Sequence, residues 1–446
     1  MPEGEVNLCL NGQTINGKIT IGSGATLTLT DCIGSGRVQG EVTVNGGKFE
    51  LYSGTITGGV QVGIKGSAYQ TGSSFTMYGG EITGNKAGSG GGGVFLVGTT
   101  NQTDPPRFTM HGGTISDNTA GASDGGGGGV YVGEKCSFTM DGGAITGNKA
   151  TAGNGGGIYI HFNAGTVSIS NATITGNKAS ATGNTSYGHG GGIYSERGVT
   201  VENVTITGNN STFEGGGIYG KGAITLTDAT VTDNSQYDVY YDGRESNTPE
   251  LTISGSVKAG YYANEAWKLP ILVSGALRED SVIRVGVREG INLGAIAEPA
   301  SGVTLSAENF KADAADCVTS LGDDGKVYLV PCTHEMDDTG YTCKKCHTQF
   351  DARVGDSAYY QTLTKAFDAA RGNTVTLLRD VTLTGNCSAS NTILDLNGKT
   401  ITSGDKFFNV NEKLTVKDSS EGGGRQALNV KFSVGSNGTL VVDNSY

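Results

Sequence analysis

Nearly the same phrase occurs several times in succession in this chain. Six copies align, the last three more divergent, and they begin at Phe75, Phe108, Phe138, Val167, Val199 and Ile224. Each copy has one Asn at the equivalent place, and these residues are Asn85, Asn118, Asn148, Asn177, Asn209 and Asn234. Their spacings are 33, 30, 29, 32 and 25 residues. A repeat of this length predicts a solenoid, in which each copy forms one coil and contacts only its neighbours.

Within each copy, three short segments alternate apolar and polar residues. The copy from Phe138 reads FTMDGGAITGNKATAGNGGGIYIH, and the residues predicted to face inward are Phe138, Met140, Ile145, Ile158 and Ile160. Alternation with a period of two is typical of strands, and no helical period occurs in these copies. Three strands per coil, each pairing with its equivalent in the next coil, predict an all-β fold. We expect a right-handed parallel β-helix over residues 1–262.

The corners between these strands explain the glycine content, which is 76 residues of 446. Tight corners need a positive φ, which Gly adopts freely and Asn tolerates. The recurring Asn is therefore predicted to bond to its equivalent in the next coil and form an asparagine ladder; the alternative is an ordinary surface turn. A row of equivalent aromatic residues predicts ring stacking along the solenoid or, alternatively, a sugar-binding stripe. The members of that row are Phe95, Tyr131, Tyr159, Tyr194 and Tyr219.

Charge and hydropathy argue against two classes of function. The net charge of −12 disfavours the basic surface that nucleic acids require. No run of 18 apolar residues occurs, so membrane insertion is not expected in this segment. The opening MPEGEVNLCLNG also lacks the basic and apolar regions of a signal peptide.

Beyond residue 262 the repeat fades and three further parts are predicted. Residues 263–331 contain strand-like segments and turns, and we interpret them as a small β capping module. Residues 332–350 contain a Cys/His cluster and are interpreted as a zinc-knuckle-like linker. Residues 351–446 are predicted to form the helix-capped start of a second β-helix.

The last part is predicted from a helix and an internal repeat. A helix is expected over 359–371, with one apolar face that comprises Tyr360, Leu363, Phe367 and Ala370. The phrase LDLNGKTI from Leu394 then repeats LCLNGQTI from Leu8. We therefore expect a truncated second module, and a chain that is a monomeric fragment of a longer tandem protein.

Four residues, Cys332, His334, Cys343 and Cys346, have the spacing C-x-H-x₈-C-x₂-C. Three thiolates and one imidazole form the tetrahedral set that Zn²⁺ favours, and four protein ligands leave no open position for catalysis. The sequence therefore predicts a structural zinc site. The intervening MDDTGYT is too polar to form a core, so disorder is expected without metal. The alternatives are His347 as the imidazole ligand, disulfides from Cys332 to Cys343 or Cys346, or free thiols.

One outward column contains the candidate catalytic residues. It follows the FTM segment and reads Tyr52, Tyr78, His111, Asp141, Ser170, Glu202 and Thr227. Asp141 and Glu202 fall two coils apart, which is roughly 9.6 Å at about 4.8 Å per coil. That separation is near the upper end for inverting glycoside hydrolysis, and His111 neighbours Asp141 as a possible proton partner. The alternative is a solvated column that accepts any polar residue.

The phrases GG-x-I-T-x-N and GGGIY, the opening L-x-L-N-G-x-T-I and the Cys/His cluster resemble a known group. They are similar to the parallel β-helix repeat surface proteins of Gram-positive gut bacteria, and the first two also to chlamydial polymorphic outer-membrane repeats. The resemblance implies a secreted or surface-displayed, adhesin-like bacterial protein. Because β-helices also host polysaccharide lyases and glycosidases, the fold alone does not decide the function.

The regularity of the coils favours a non-catalytic role, since a catalytic cleft usually needs a coil with long insertions. We therefore expect a surface-displayed adhesin or a binding or structural module, with a glycan or a host-surface protein as its partner. The alternative is a polysaccharide-degrading enzyme, either a glycoside hydrolase or a lyase. Whether the chain is an enzyme is left open at this point, with a non-catalytic role favoured.

Overall fold

The computed structural model divides the chain into two compact units. Unit 1 comprises Met1–Ala314 and Thr319–Val330, and unit 2 comprises Ala315–Val318 and Pro331–Tyr446. The structure describes residues 3–64, 72–88, 90–98, 103–121, 125–181, 186–242, 250–263, 270–286, 294–313, 317–420 and 428–443.

Unit 1 is built from ladders of short parallel strands, in which each strand pairs with the equivalent strand one coil further on. The first ladder comprises Gly4–Cys9, Ala25–Thr30, Lys48–Leu51, Ser74–Met77, Arg107–Met110, Ser137–Met140, Val167–Ser170, Val199–Glu202, Ile224–Thr227, Leu251–Gly255, Ile271–Leu277 and Ala295–Pro299. This sheet of 14 strands ends in antiparallel Val327–Pro331, followed in sheet order by Cys317–Leu321.

Two further ladders complete each coil. The second comprises Thr14–Ile15, Arg37–Val38, Thr55–Ile56, Glu81–Thr83, Thr114–Ser116, Ala144–Thr146, Thr173–Thr175, Thr205–Thr207 and Thr230–Thr232. The third comprises Ile19–Ile21, Val42–Val44, Val60–Val62, Val94–Leu96, Val130–Val132, Ile158–Ile160, Ile193–Ser195, Ile218–Gly220 and Val239–Tyr241. Both ladders pair with Lys258–Ala263, and this strand is followed by Val282–Gly286 and Phe310–Ala312.

A short fourth ladder lies between the second and the third in the middle coils. It comprises Lys86–Ala87, Thr119–Ala120, Lys149–Ala150, Lys178–Ala179 and Asn210–Ser211. Unit 1 also contains the 3₁₀ turn Ala307–Asn309 and a disulfide between Cys9 and Cys32. The strands and their register confirm the predicted parallel β-helix.

In several coils of the narrow core, identical side chains stack on one another. The rings of Phe49, Phe75, Phe108 and Phe138 stack with centroids 5.0, 4.7 and 5.0 Å apart. The inward residues predicted for the copy from Phe138 are all fully buried. Stacking of like residues follows from the in-register pairing, for example Phe108 with Phe138 and Met110 with Met140.

The asparagine ladder is confirmed, and it is buried rather than a surface turn. At each step the Oδ1 atom of one Asn accepts from the backbone N–H and the Nδ2 of the Asn one coil earlier. Asn148 Oδ1, for example, lies 3.0 Å from Asn118 N and 2.9 Å from Asn118 Nδ2. The chain of bonds runs from Asn85 to Asn234.

The ladder ends on a buried carboxylate, that of Asp238, which is 2% exposed. Its Oδ1 atom accepts from Asn234 N and Nδ2 at 3.0 and 3.1 Å. Its Oδ2 atom accepts from Gly260 N at 3.1 Å and Arg284 Nη2 at 2.7 Å. Asp238 therefore supplies the last acceptor that the ladder requires, and Arg284 balances its charge.

The boundary predicted at residue 262 is too early. Ile271–Leu277 pairs in parallel with Leu251–Gly255, and Val282–Gly286 pairs in parallel with Lys258–Ala263. The solenoid thus continues without the Asn and Gly phrase that marked the earlier coils, because strand pairing needs only the alternating apolar residues. Most of the predicted capping module 263–331 accordingly belongs to unit 1.

Unit 2 contains the predicted linker 332–350 together with the residues that follow it. One sheet comprises Ala358–Tyr360, Ala352–Val354, Thr374–Leu377, Thr392–Asp395, Lys413–Lys417 and Thr439–Val442, and its last four strands are parallel. The other comprises Val381–Thr382, Cys387–Ala389, Ile401–Val410 and Leu428–Val434. These parallel coils agree with the predicted start of a second β-helix.

The helix of unit 2 is shorter than predicted and spans Leu363–Ala370. It begins there because the side chain of Thr362 accepts a hydrogen bond from Lys365 N and caps the first turn. Tyr360 therefore lies in the preceding strand and not on the helix. The other residues of the predicted face, Leu363, Phe367 and Ala370, are buried in the core of this unit.

Candidate metal centre and exposed surface columns

The four predicted ligands come together at one point of unit 2. A hairpin-like segment brings them there, with isolated antiparallel bridges between Met336 and Cys343 and between Thr342 and Gln349. The ligand atoms of Cys332, His334, Cys343 and Cys346 all lie within 4.8 Å of one another. This cluster could hold a metal ion.

The distances within the cluster match a tetrahedral site. Zn–S bonds of about 2.3 Å and Zn–N bonds of about 2.0–2.1 Å imply edges of about 3.8 Å between sulfurs and about 3.6 Å between sulfur and nitrogen. Cys332 Sγ and Cys343 Sγ are 3.7 Å apart, and Cys346 Sγ and His334 Nδ1 are 3.6 Å apart. A disulfide needs its sulfurs at about 2.05 Å, and Cys332, Cys343 and Cys346 are free thiols in this structure.

The thiols of the cluster differ in how readily they ionise. Burial raises the pKa of Cys343, but hydrogen bonds from Cys346 N–H, Glu335 N–H, His334 and Lys345 N–H outweigh it and lower the pKa to about 6. Burial and the neighbouring thiols instead raise the pKa of Cys332 to about 12. One thiolate at neutral pH therefore opposes ionisation of the next, and a bound cation would remove this conflict.

Aromatic rings fix the imidazole of the cluster. The ring of His334 contacts Phe350 and Tyr359 edge to face, with centroids 4.7 and 5.9 Å away. Phe350 is fully buried beside Cys332 and Cys343. His347, the alternative imidazole ligand, is outside the set of converging atoms. Its backbone has a φ of 55° at the turn that follows Cys346.

The outward column on the first ladder begins with two exposed, stacked tyrosines. Tyr52 and Tyr78 are 45% and 43% exposed, and their ring centroids are 4.5 Å apart. The ring of His111 stacks on Tyr78 at 5.1 Å. His111 Nδ1 lies 2.7 Å from Asp141 Oδ1. The column is therefore continuous over four coils; we call Tyr52, Tyr78, His111 and Asp141 the outer column.

The structure brings together two of the three candidate catalytic residues. His111 and Asp141 are hydrogen-bonded, with side chains 39% and 41% exposed. Glu202 lies two coils beyond Asp141, since it pairs with Ser170 while Met140 pairs with Ile169. All three residues are exposed on an open strand face. Water therefore reaches each side chain, and it screens the two carboxylates from one another.

The second aromatic row is covered rather than exposed. Its tyrosine rings stack at 4.9, 5.3 and 5.1 Å from Tyr131 to Tyr219. Tyr159, Tyr194 and Tyr219 are only 3–6% exposed. The hydroxyls of Tyr159 and Tyr219 donate to Glu196 and Asp242 at 2.9 and 2.5 Å. The stacking prediction is therefore confirmed from Tyr131 to Tyr219, whereas Phe95 meets Tyr131 edge to face with the centroids 5.1 Å apart. The alternative of a sugar-binding stripe is wrong for Tyr159, Tyr194 and Tyr219 because their faces are covered.

Sequence reasoning aligned the residues of the outer column but missed that its first two members stack in the open. The signal was present, because Tyr52 and Tyr78 both follow the apolar end of a first-ladder strand. Alignment of the sequence copies shows that Tyr52 and Tyr78 are in register. It does not show whether their side chains are exposed, because exposure depends on which loops fold over the column.

Comparison with known families, with curated proteins and with solved structures found no match to this chain. Among the described residues, no helix has the length and hydropathy to cross a membrane.

Proposed function

We propose that this chain is a non-catalytic, secreted or surface-displayed bacterial binding module, whose partner is a glycan or a glycosylated host-surface protein. The observation that carries the proposal is the outer column. Soluble proteins usually bury aromatic rings or leave them exposed singly, whereas aligned exposed aromatic side chains are typical of recognition surfaces.

The chemistry of the outer column suits sugars. Tyrosine presents an apolar ring edge and a hydroxyl that both donates and accepts, and the His111–Asp141 pair adds polar groups at one end. A pyranose has the same mixture of C–H and hydroxyl groups. Each contact of this kind is weak on an open face, so useful retention would come from several modules or several glycan chains acting together.

We further propose that the ion at the Cys/His cluster is Zn²⁺ and that its role is structural. Three sulfur ligands and one nitrogen ligand favour zinc over hard cations, which prefer oxygen. Four protein ligands complete the tetrahedron, so no position is left for a substrate or a catalytic water.

We expect the double variant Tyr52→Ser/Tyr78→Ser to bind immobilised mucin at least about tenfold more weakly than the unmodified chain. Loss of an aromatic anchor commonly costs about 1–2 kcal/mol, and about 1.4 kcal/mol is tenfold. Surface plasmon resonance on a mucin-coated chip measures this difference.

The matched control is Phe162→Ser. Phe162 is 66% exposed but lies outside the outer column, so its replacement should leave binding unchanged. Undiminished mucin binding by the double variant, with the same unfolding midpoint as the unmodified chain, would exclude the outer column as the binding surface.

A further inference from the structure

The cross-section of the solenoid widens abruptly at one coil. Before this step, only residues 57–59 connect Thr55–Ile56 to Val60–Val62. In the next coil, residues 84–93 connect Glu81–Thr83 to Val94–Leu96 and include the first strand of the fourth ladder, Lys86–Ala87. The wider coil therefore projects beyond the narrower one, and part of its end face is not covered by a preceding coil.

A pocket of about 240 Å³ lies at this step. Its side chains come from three successive coils: Glu41 precedes Val42–Val44, Gln61 lies in the narrow coil, and Asn85, Lys86 and Phe95 lie in the wide coil. Glycines form much of the remaining wall. A Cβ atom on Gly59 would lie 3.4 Å from Gly93 O and 3.5 Å from Gly92 O, so backbone oxygens approach this point closely.

The asparagine ladder begins in this pocket with an unused acceptor. Asn85 is 3% exposed, and its Oδ1 atom has no hydrogen-bond partner among the described residues. At the next step of the ladder, Asn118 Oδ1 accepts from Asn85 N and Nδ2 at 3.1 and 2.6 Å. The narrow coil has no equivalent Asn that could donate to Asn85 Oδ1 in the way that Asn85 donates to Asn118.

The two ends of the ladder therefore differ. Asp238 closes the far end by accepting the last pair of hydrogen bonds. At the near end, Asn85 lines the pocket, and its buried Oδ1 atom accepts no hydrogen bond from the described residues. Because buried polar groups are as a rule hydrogen-bonded, this atom points to a ligand that carries N–H or O–H groups.

We propose that the pocket at the step binds one pyranose residue of a glycan. A sugar hydroxyl donates to Asn85 Oδ1, the Glu41 carboxylate and the Lys86 ammonium bind neighbouring hydroxyls, and Phe95 packs against the apolar part of the ring. The volume is below the roughly 300–1,000 Å³ of sites for drug-sized ligands, which fits a single ring. The choice of a sugar rests on the proposed function; the pocket and its unused acceptor do not.

The test is titration of the isotopically labelled chain with the methyl glycosides of glucose, galactose, N-acetylglucosamine and N-acetylgalactosamine, followed by NMR. We expect at least one glycoside to shift the side-chain amide of Asn85 saturably. The variant Gly88→Tyr should weaken that binding at least tenfold. Gly88 lines the pocket and a Cβ atom there meets no atom within 4 Å, so the new ring can cover the opening without disturbing the coil.

The matched control is Gly121→Tyr, which places the same side chain one coil further on, since Ala87 pairs with Ala120. This variant should bind as the unmodified chain does. Absence of saturable binding by all four glycosides would overturn the proposal, as would equal binding by the two variants.

The same samples separate this proposal from the proposed function. If mucin binding survives but no glycoside enters the pocket, only the pocket assignment fails. If a glycoside binds at Asn85 while mucin is not retained, the pocket stands and the proposed role in adhesion fails.

Discussion

Replacing Asn148 by Asp should lower the free energy of unfolding of unit 1 by about 3–5 kcal/mol, the cost typical of an uncompensated buried charge. Asn148 is fully buried. Its Nδ2 donates to Ile115 O and Asn177 Oδ1 at 2.9 and 3.0 Å. A carboxylate cannot donate a hydrogen bond to Ile115 O or to Asn177 Oδ1. Asn148→Asp therefore places a negative charge next to these two acceptor oxygens.

Denaturant unfolding followed by far-UV circular dichroism measures this difference. The control is Lys149→Ala, an exposed neighbour whose replacement should change stability by no more than about 0.5 kcal/mol. Equal small effects of the two substitutions would contradict a stabilising role for the ladder.

Zinc removal should have the largest effect on unit 2. Zinc binding to small Cys/His sites contributes about 10–16 kcal/mol in peptides at neutral pH, and that free energy is also folding free energy. Native mass spectrometry should show one zinc per chain. Chelation should make residues 332–350 sensitive to proteases, because few of the side chains between the ligands are buried.

Two histidine variants test the assignment of the ligands. His334→Ala should weaken zinc binding by more than the roughly 10–100-fold that loss of an outer-shell partner costs. His347→Asn should leave zinc binding unchanged, and Asn tolerates the positive φ at this turn. The assignment of a zinc site would be contradicted if the protein contained no metal and if two of Cys332, Cys343 and Cys346 were completely converted to a disulfide.

The repeat in the sequence determines much of the fold. Once Phe108 aligns with Phe138, and Asn118 with Asn148, parallel in-register pairing dictates both the stacked core and the ladder. The four ligands of the Cys/His cluster are equally readable, because the ligands of a small metal site lie close together in the sequence.

Other features are not readable from the pattern. The coils after residue 262 keep strand pairing but lose the glycine and asparagine phrase, so alignment does not detect them. Asp238 is accommodated at the end of the ladder because the chain brings Gly260 to it one coil later and Arg284 two coils later. The pocket at Asn85 results from a change in coil width between two copies, which aligned phrases do not report.

The covered tyrosines illustrate the same limit. Tyr78 and Tyr159 both belong to rows of aromatic residues that stack from coil to coil, yet Tyr78 is 43% exposed and Tyr159 only 6%. Glycine-rich turns lie over the second row, and a Cβ atom on Gly190 would come within 2.7 Å of the Tyr194 side chain. Exposure therefore depends on how turns pack over a column, and this is a property of the folded coil.

The most direct test of a non-catalytic binding role is incubation of the chain with mucin and plant polysaccharide panels, with retention and released saccharides measured in the same samples. We predict retention on at least one polymer and no release of reducing or unsaturated ends, because Asp141 and Glu202 stand on an open face. Polymer cleavage that Asp141→Asn or Glu202→Gln abolishes, in variants that remain folded, would contradict this account.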